Sequence, residues 1–381
     1  MNMSPAIRDQ FLLDEQWHFL NHGSFGACPK PVFEQYQFWQ RELETQPVHF
    51  MMRRLPGLLQ DVRMRLAAFI HADPDHLILA TNATSALNMV IRSLPWQQGD
   101  EILSSDQEYG ALRRTWDYIV QEKAVTFRPL RLPTDCRDER EFADCIWPEI
   151  SPRTRAIFLS HITSPTAVRF PFETLIQRAR EENIWTIIDG AHAPGQLDLD
   201  LSTLGADAYA GNCHKWLCAP KGSAFLYVHP SLQDGMTPLV ISHGWGEDAT
   251  FVRSNEWYGT QDFAAYLAIP TALDFFRNCL GEAVHQDCIR RAEAARLHLA
   301  ERGFTPIIPE DKALEISLFA SVLPSSTATT DEVYEVLWKE HQVEVPIIFW
   351  QNQNLVRVSI QAYNSDEDWW ALAHALERMF H

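Results

Sequence analysis

Short apolar runs alternate with helix-length amphipathic stretches over the first two thirds of the chain. Leu77 to Ala80 predicts a short strand, followed by a helix from about Thr84. Glu101 to Ser104 predicts a second strand, with a helical stretch from Gly110 to about Glu122. Ala156 to Ser160 predicts a buried strand ahead of a helix over Phe172 to Glu182. Trp185 to Ile188, Asp207 to Ala210 and Ser223 to Val228 continue the set. Apolar runs without strict alternation fit strands covered on both faces. Strand–helix alternation of this kind predicts an α/β fold with a mostly parallel sheet. Ligands of such sheets bind beyond the carboxyl ends of the strands.

The last third changes character. Helices are predicted over about Phe263 to Phe276 and Glu282 to Arg302. Strand-like runs follow at Glu315 to Val322, Val343 to Ile348 and Leu355 to Ile360, with helices from Thr330 to about Glu340 and from about Ser365. This mixture predicts a smaller α+β C-terminal domain. The division expected is an N-terminal segment over residues 1–20 packing near the small domain and the active site, a large domain over 21–265, and a small domain over 266–381.

Composition narrows the function classes. A hydrophobic content of 46% beside 22% charged residues suits an ordinary globular protein. A formal charge of −18 argues against nucleic acid or an anionic membrane as the main partner. No run reaches the length of a membrane span, and the N-terminus shows no signal-peptide core, so a cytoplasmic location is expected. The seven cysteines form no C-x-x-C pair, which argues against a structural zinc site. The histidines are scattered and no H-E-x-x-H occurs, so no metal site is expected.

Candidate chemistry clusters just beyond the predicted strands. Asp189 ends the apolar run Trp185-Thr186-Ile187-Ile188 and is followed by Gly190, Ala191 and His192. A buried carboxylate is costly unless paired, so it needs a cation, a metal or a protonated nitrogen. Lys215 follows in the turn Gly211-Asn212-Cys213-His214-Lys215-Trp216. A desolvated lysine has a lowered pKa and becomes a usable nucleophile. This pairing is what pyridoxal phosphate (PLP) chemistry needs: an amine to form a Schiff base, and a carboxylate to keep the pyridine nitrogen protonated.

Further groups fit around that pair, each with an ordinary alternative. Asn82-Ala83-Thr84 opens a helix and suits a phosphate, although Thr84 also serves as a plain N-cap. Tyr109 can stack on a cofactor ring or lie in a core or on the surface. Ser164 can meet the cofactor's phenolic oxygen or the substrate, or cap a loop. Arg357 stands in the apolar run Leu355-Val356-Arg357-Val358, so it wants a carboxylate from a substrate or from an internal ion pair. Lys221 reads as a surface residue.

Together these elements resemble the class V aminotransferase family of fold-type-I PLP enzymes, in its isopenicillin N epimerase-like branch. The resemblance runs from Phe19-Leu20-Asn21-His22-Gly23-Ser24-Phe25-Gly26 through Gln46-Pro47-Val48-His49-Phe50, Asn82-Ala83-Thr84, Glu108-Tyr109-Gly110-Ala111, Asp189-Gly190-Ala191-His192 and His214-Lys215-Trp216 to Arg357 and Tyr363-Asn364. It implies that Lys215 carries the cofactor and shuttles protons, and that Asp189 pairs with the pyridine nitrogen. It implies that Tyr109 stacks on the ring, that Ala83, Thr84 and His214 hold the phosphate, and that Asn212 stands beside them. His192 then addresses the phenolic oxygen, and Ser164 stands where desulfurases of the family carry an Asn. Arg357 binds the α-carboxylate, and Asn21, His22 and Gly23 line the substrate entrance. The family is typically a homodimer, which implies that Thr260 reaches the partner's phosphate.

The same residues serve epimerisation, β-elimination and transamination. Persulfide-forming desulfurases of the family present a cysteine shortly before the carboxylate-binding arginine. Here the stretch from Glu282 to Arg357 holds only Cys288, far from Arg357 and inside a predicted helix. That argues against a desulfurase and leaves amino-acid epimerisation first, a C–S lyase second and an aminotransferase third. A PLP-binding scaffold without catalysis is the alternative of another class.

Overall fold

The computed structural model describes residues 5–246, 249–325 and 327–380. Residues 1–4 of the expected N-terminal segment lie outside them. Strand β1 (His18–Phe19) precedes the main sheet. That sheet contains β2 (Leu77–Ala80), β3 (Glu101–Ser105), β4 (Thr126–Leu130), β5 (Thr154–Ser160), β6 (Trp185–Asp189), β7 (Ala208–Asn212) and β8 (Ala224–Val228). Their order is β2-β8-β7-β6-β5-β3-β4. Pairing is parallel from β7 through β6, β5 and β3 to β4. Only β8 runs antiparallel to both neighbours.

Both faces of the sheet are covered, which is why its strands lack alternation. In β2, Leu77 and Leu79 join one core while Ile78 and Ala80 join the other. The second core is closed by helices Ala83–Ser93 and Gly110–Lys123 through Leu87, Val90, Leu112 and Trp116. The first is closed by helices Leu55–Phe69 and Glu173–Glu181 through Leu59, Leu66, Leu175 and Ile176. Each such buried aliphatic side chain contributes about 1.5–3 kcal/mol.

β4 has no counterpart in the apolar pattern. It reads Thr-Phe-Arg-Pro-Leu, is partly exposed and forms an edge, the place where a strand tolerates proline. The helix expected over Phe263 to Phe276 is two helices, Ala264–Leu267 and Ile269–Cys279, with Pro270 in the first turn of the second.

The C-terminal part adds β9 (Thr305–Pro306), β10 (Leu318–Val322), β11 (Val343–Glu344), β12 (Ile347–Trp350) and β13 (Gln353–Ser359). The run Val343 to Ile348 is thus split, with Pro346 between its halves. β11 pairs in parallel with β1, which ties the N-terminal segment to this part. The others form an antiparallel sheet in the order β12-β13-β10-β9, with Arg357 of β13 opposite Ala320.

This topology sets the site. Ala80, Ser105, Ser160, Asp189 and Asn212 end strands that run the same way, so they share one end of the sheet. The reversal into β8 keeps the connection 213–223 short, and that connection carries Lys215 at the same end.

Candidate active site

A cavity of about 560 Å³ opens there. It is lined by Gly23, Ala83, Thr84, Tyr109, Ser164, Asp189, His192, Asn212, His214, Lys215 and Arg357 among the residues singled out from the sequence. Asn21, His22 and Thr260 are not in its wall. His22 is fully buried beneath it, Asn21 accepts the Ser24 hydroxyl at 2.5 Å, and Thr260 is exposed elsewhere. His22 therefore does not line an entrance in this chain; its ring is spent on contacts with backbone and Tyr363.

Lys215 Nζ lies 2.9 Å from His192 Nε2. Burial, then the charge of Arg357, lowers the lysine pKa to about 7, with Asp189 acting the other way. His192 is held well below its ordinary pKa by burial and then by Lys215, so it is neutral. Asp189 sits at the end of β6. One of its oxygens accepts the Ala191 N–H at 2.9 Å, and no described donor meets the other. Burial raises its pKa against the pull of that N–H and of Lys215.

At the start of helix Ala83–Ser93, Asn82 caps the Ser85 N–H at 2.8 Å. Asn212 Oδ1 takes the Ala83 N–H, also at 2.8 Å. The cap is therefore Asn82 and not Thr84, and Asn212 occupies one donor that an anion would want. Thr84 keeps its hydroxyl and N–H for the cavity. His214 Nδ1 donates to the Ser223 carbonyl at 3.1 Å, and burial lowers its pKa to about 4.

Arg357 has no carboxylate partner among the described residues. It donates to the Ser164 carbonyl at 2.6 Å and to Ser24 Oγ at 3.2 Å, while its Nε is buried without a partner. The internal ion pair is thus not formed. A buried guanidinium facing a cavity without its anion is poised for a carboxylate. Ser164 is committed to Arg357 through its main-chain oxygen.

Sequence reasoning missed four contributors. Ser24 and Phe25 line the cavity, and their signal was their place in the quoted His22–Gly26 run. Lys221 is exposed, as a surface residue should be, yet it also lines the cavity. Glu108 lies just behind the wall, accepting from Ser105 Oγ at 2.5 Å and Ser160 Oγ at 2.6 Å. With Lys221 and Arg357 set against Asp189, and Lys215 adding to them when protonated, the lining carries more cations than anions in a chain whose total charge is −18.

These groups fit PLP and an amino acid. Asp189 has a free oxygen for a pyridine nitrogen, Lys215 an amine for the aldehyde, Thr84 a helix-end N–H for phosphate, and Arg357 an orphaned Nε–H beside a carboxylate position. Fold and site define an α/β PLP-dependent enzyme. The chain belongs to the class V aminotransferases: the family described as "Aminotransferase class-V" matches residues 26–372.

Among its relatives, isopenicillin N epimerase of Streptomyces clavuligerus is 35% identical over 98% of this chain and 97% of its own. A probable chloroplastic L-cysteine desulfhydrase of Arabidopsis thaliana is 25% identical over 95% of this chain and 83% of its own. The fold matches the cystine C–S lyase C-DES in complex with cysteine persulfide, with a TM-score of 0.84, 22% identity and coverage of 95% and 98% of the two chains. A lysine variant of C-DES carries glycine covalently linked to its PLP cofactor.

Proposed function

We propose that this protein acts at the α-carbon of an amino acid and that its reaction is of the epimerase type. The observation that carries this reading is the Lys215–His192 contact in the same cavity as an Arg357 that lacks an anion. Arg357 binds the substrate carboxylate and fixes the α-carbon. Lys215, its pKa lowered to about 7 by burial and Arg357, takes the α-proton. Asp189 would keep the pyridine nitrogen of PLP protonated, and the cofactor would supply an electron sink for charge at the α-carbon. Tyr109, on the cavity wall, is the residue proposed to return a proton from the other face. The relatives named isopenicillin N epimerase support this choice.

A second reading is β-elimination from a cysteine derivative. It is favoured by the relatives named as cysteine desulfhydrases and by the lack of any cysteine among the lining residues. Cys288 lies in helix Glu282–Ala300 and is buried. A lyase that releases its product needs no thiol, whereas a persulfide-forming desulfurase does.

The reading includes a homodimer. Phe25 (69% exposed) and Tyr109 (46% exposed) are large apolar side chains at the cavity, and a second copy would cover them. Thr260 would then address the partner's phosphate. It also includes a cytoplasmic location, in keeping with seven free cysteines and with no described helix long and apolar enough to cross a membrane.

The test is a panel of L- and D-amino acids and cysteine derivatives. Deuterium exchange at the α-carbon with change of chirality is the expected result. Pyruvate release without inversion selects the second reading, and no exchange with any compound ends both.

A further inference from the structure

We propose that His22 is a positioning residue for Lys215, and that the turn His22–Gly26 holds the Lys215 peptide and Arg357 in one fixed relation. This rests on the reading of Lys215 as the cofactor's carrier.

The His22 ring is fully buried, and two main-chain groups decide its form. The Ala27 N–H, which can only donate, lies 3.3 Å from Nδ1. The Lys215 carbonyl, which can only accept, lies 3.0 Å from Nε2. A neutral imidazole offers one donor and one acceptor. Nδ1 therefore accepts and Nε2–H donates to the Lys215 carbonyl. The Tyr363 hydroxyl, 2.9 Å from Nδ1, is a second donor there. Nε2 also has Gln361 Nε2 at 3.4 Å and Cys218 Sγ at 3.8 Å, both longer than its 3.0 Å contact with the Lys215 carbonyl. Burial lowers the ring's pKa to about 3, so this arrangement persists through the neutral range.

The rest of the turn is fitted to the same place. Gly26 has φ of 69°, and a Cβ there would stand 2.0 Å from the His214 carbonyl oxygen. The turn is thus packed directly on the His214–Lys215 peptide. Within the same turn Ser24 Oγ accepts from Arg357 at 3.2 Å. The Gly23 N–H donates to Ser359 Oγ at 3.0 Å, on the strand that carries Arg357. One short segment therefore touches the peptide of the amine and the guanidinium that would fix the substrate. A displacement of 1 Å at such a site costs about 100-fold in rate.

The variants are His22→Gln, His22→Asn and His22→Ala. A glutamine amide nitrogen reaches the place of Nε2 and can donate to the Lys215 carbonyl; an asparagine amide falls short of it. PLP is added to each cofactor-free full-length chain, fixed with borohydride, and its rate of attachment to Lys215 followed by peptide mass. The Ala and Asn variants should be slowed about ten-fold or more, and Gln should stay within about three-fold of wild type. Equal rates for Gln and Asn, or a wild-type rate for Ala, overturn the proposal. A second measurement needs no variant to fold well: ¹⁵N NMR of histidine-labelled wild type should show His22 as the Nε2–H tautomer without titration from about pH 5 to 8. The Nδ1–H form, or titration in that range, overturns it too. Attachment of PLP to some other lysine would instead remove the reading of Lys215, and the NMR arm would still decide the hydrogen bond of His22.

Discussion

The imidazole of His192 stands between Lys215 and Trp216, with Nε2 at 2.9 Å from the lysine amine and Nδ1 at 3.4 Å from the indole nitrogen. An indole N–H only donates, so Nδ1 accepts and the proton sits on Nε2. That N–H points at Lys215 Nζ, which then has to offer a lone pair. The contact favours the neutral amine, in the same direction as burial and Arg357.

Attachment of PLP to Lys215 should therefore rise with pH through about 7 and level off. Arg357→Leu removes the second cause of the lowered pKa, so the midpoint should move upward. Borohydride-fixed adduct measured against pH decides this. A wild-type midpoint near the ordinary lysine value of about 10 would contradict it.

Arg357→Ala should weaken amino-acid binding about 30- to 100-fold, the usual loss for a charged hydrogen-bonding partner. At a pH well above the attachment midpoint, cofactor absorbance should stay unchanged, because Arg357 bonds Ser164 and Ser24 and has no contact with Asp189. Titration with an amino acid, read by absorbance, separates the two effects. Collapse of the cofactor spectrum would make Arg357 a structural residue.

Asp189→Asn keeps the shape and removes the charge. The Ala191 N–H can still be accepted, so the fold should hold. Deuterium exchange at the α-carbon should fall about 10²- to 10³-fold, as for loss of one fixed electrostatic partner in a buried site. Undiminished exchange would refute the role given to Asp189.

Burial raises the Glu108 pKa from 4.5 to about 7, despite bonds from Ser105 and Ser160. Its folded pKa exceeds the unfolded one, so the folded chain holds the extra proton between these values. The resulting stability is present below about 4.5 and is lost as pH rises through about 7, on the order of 3 kcal/mol. Glu108→Gln imitates the protonated form and should show a smaller fall in urea midpoint between about pH 5 and 7.5. Equal falls in both proteins would dismiss the effect.

Gly26→Ala places a methyl carbon against the His214 carbonyl at a positive φ. Its cost should be about 3 kcal/mol or more, since neither the backbone nor its neighbour can yield cheaply. A thermal melt within a degree or two of wild type would show that the turn is not packed on the Lys215 peptide.

What the chain declares by itself is local. Runs such as Leu77–Ala80 and Trp185–Ile188 are continuous because both faces of their strands are buried, and the parallel sheet follows. Asp189 and Lys215 stand at strand ends in the sequence for the same reason, so their meeting at one end of the sheet was legible. β4 was not, because Arg128 and Pro129 belong to an edge strand that leaves a weaker apolar trace. The surroundings of the pair belong to the tertiary structure. Arg357 reaches Ser24 and Ser164, and His22 reaches Lys215 and Tyr363, across about half of the chain's length or more. No periodicity records contacts of that range. Which nitrogen of His22 bears its proton, and whether Arg357 meets a carboxylate of its own chain, are decided only when the distant segments pack.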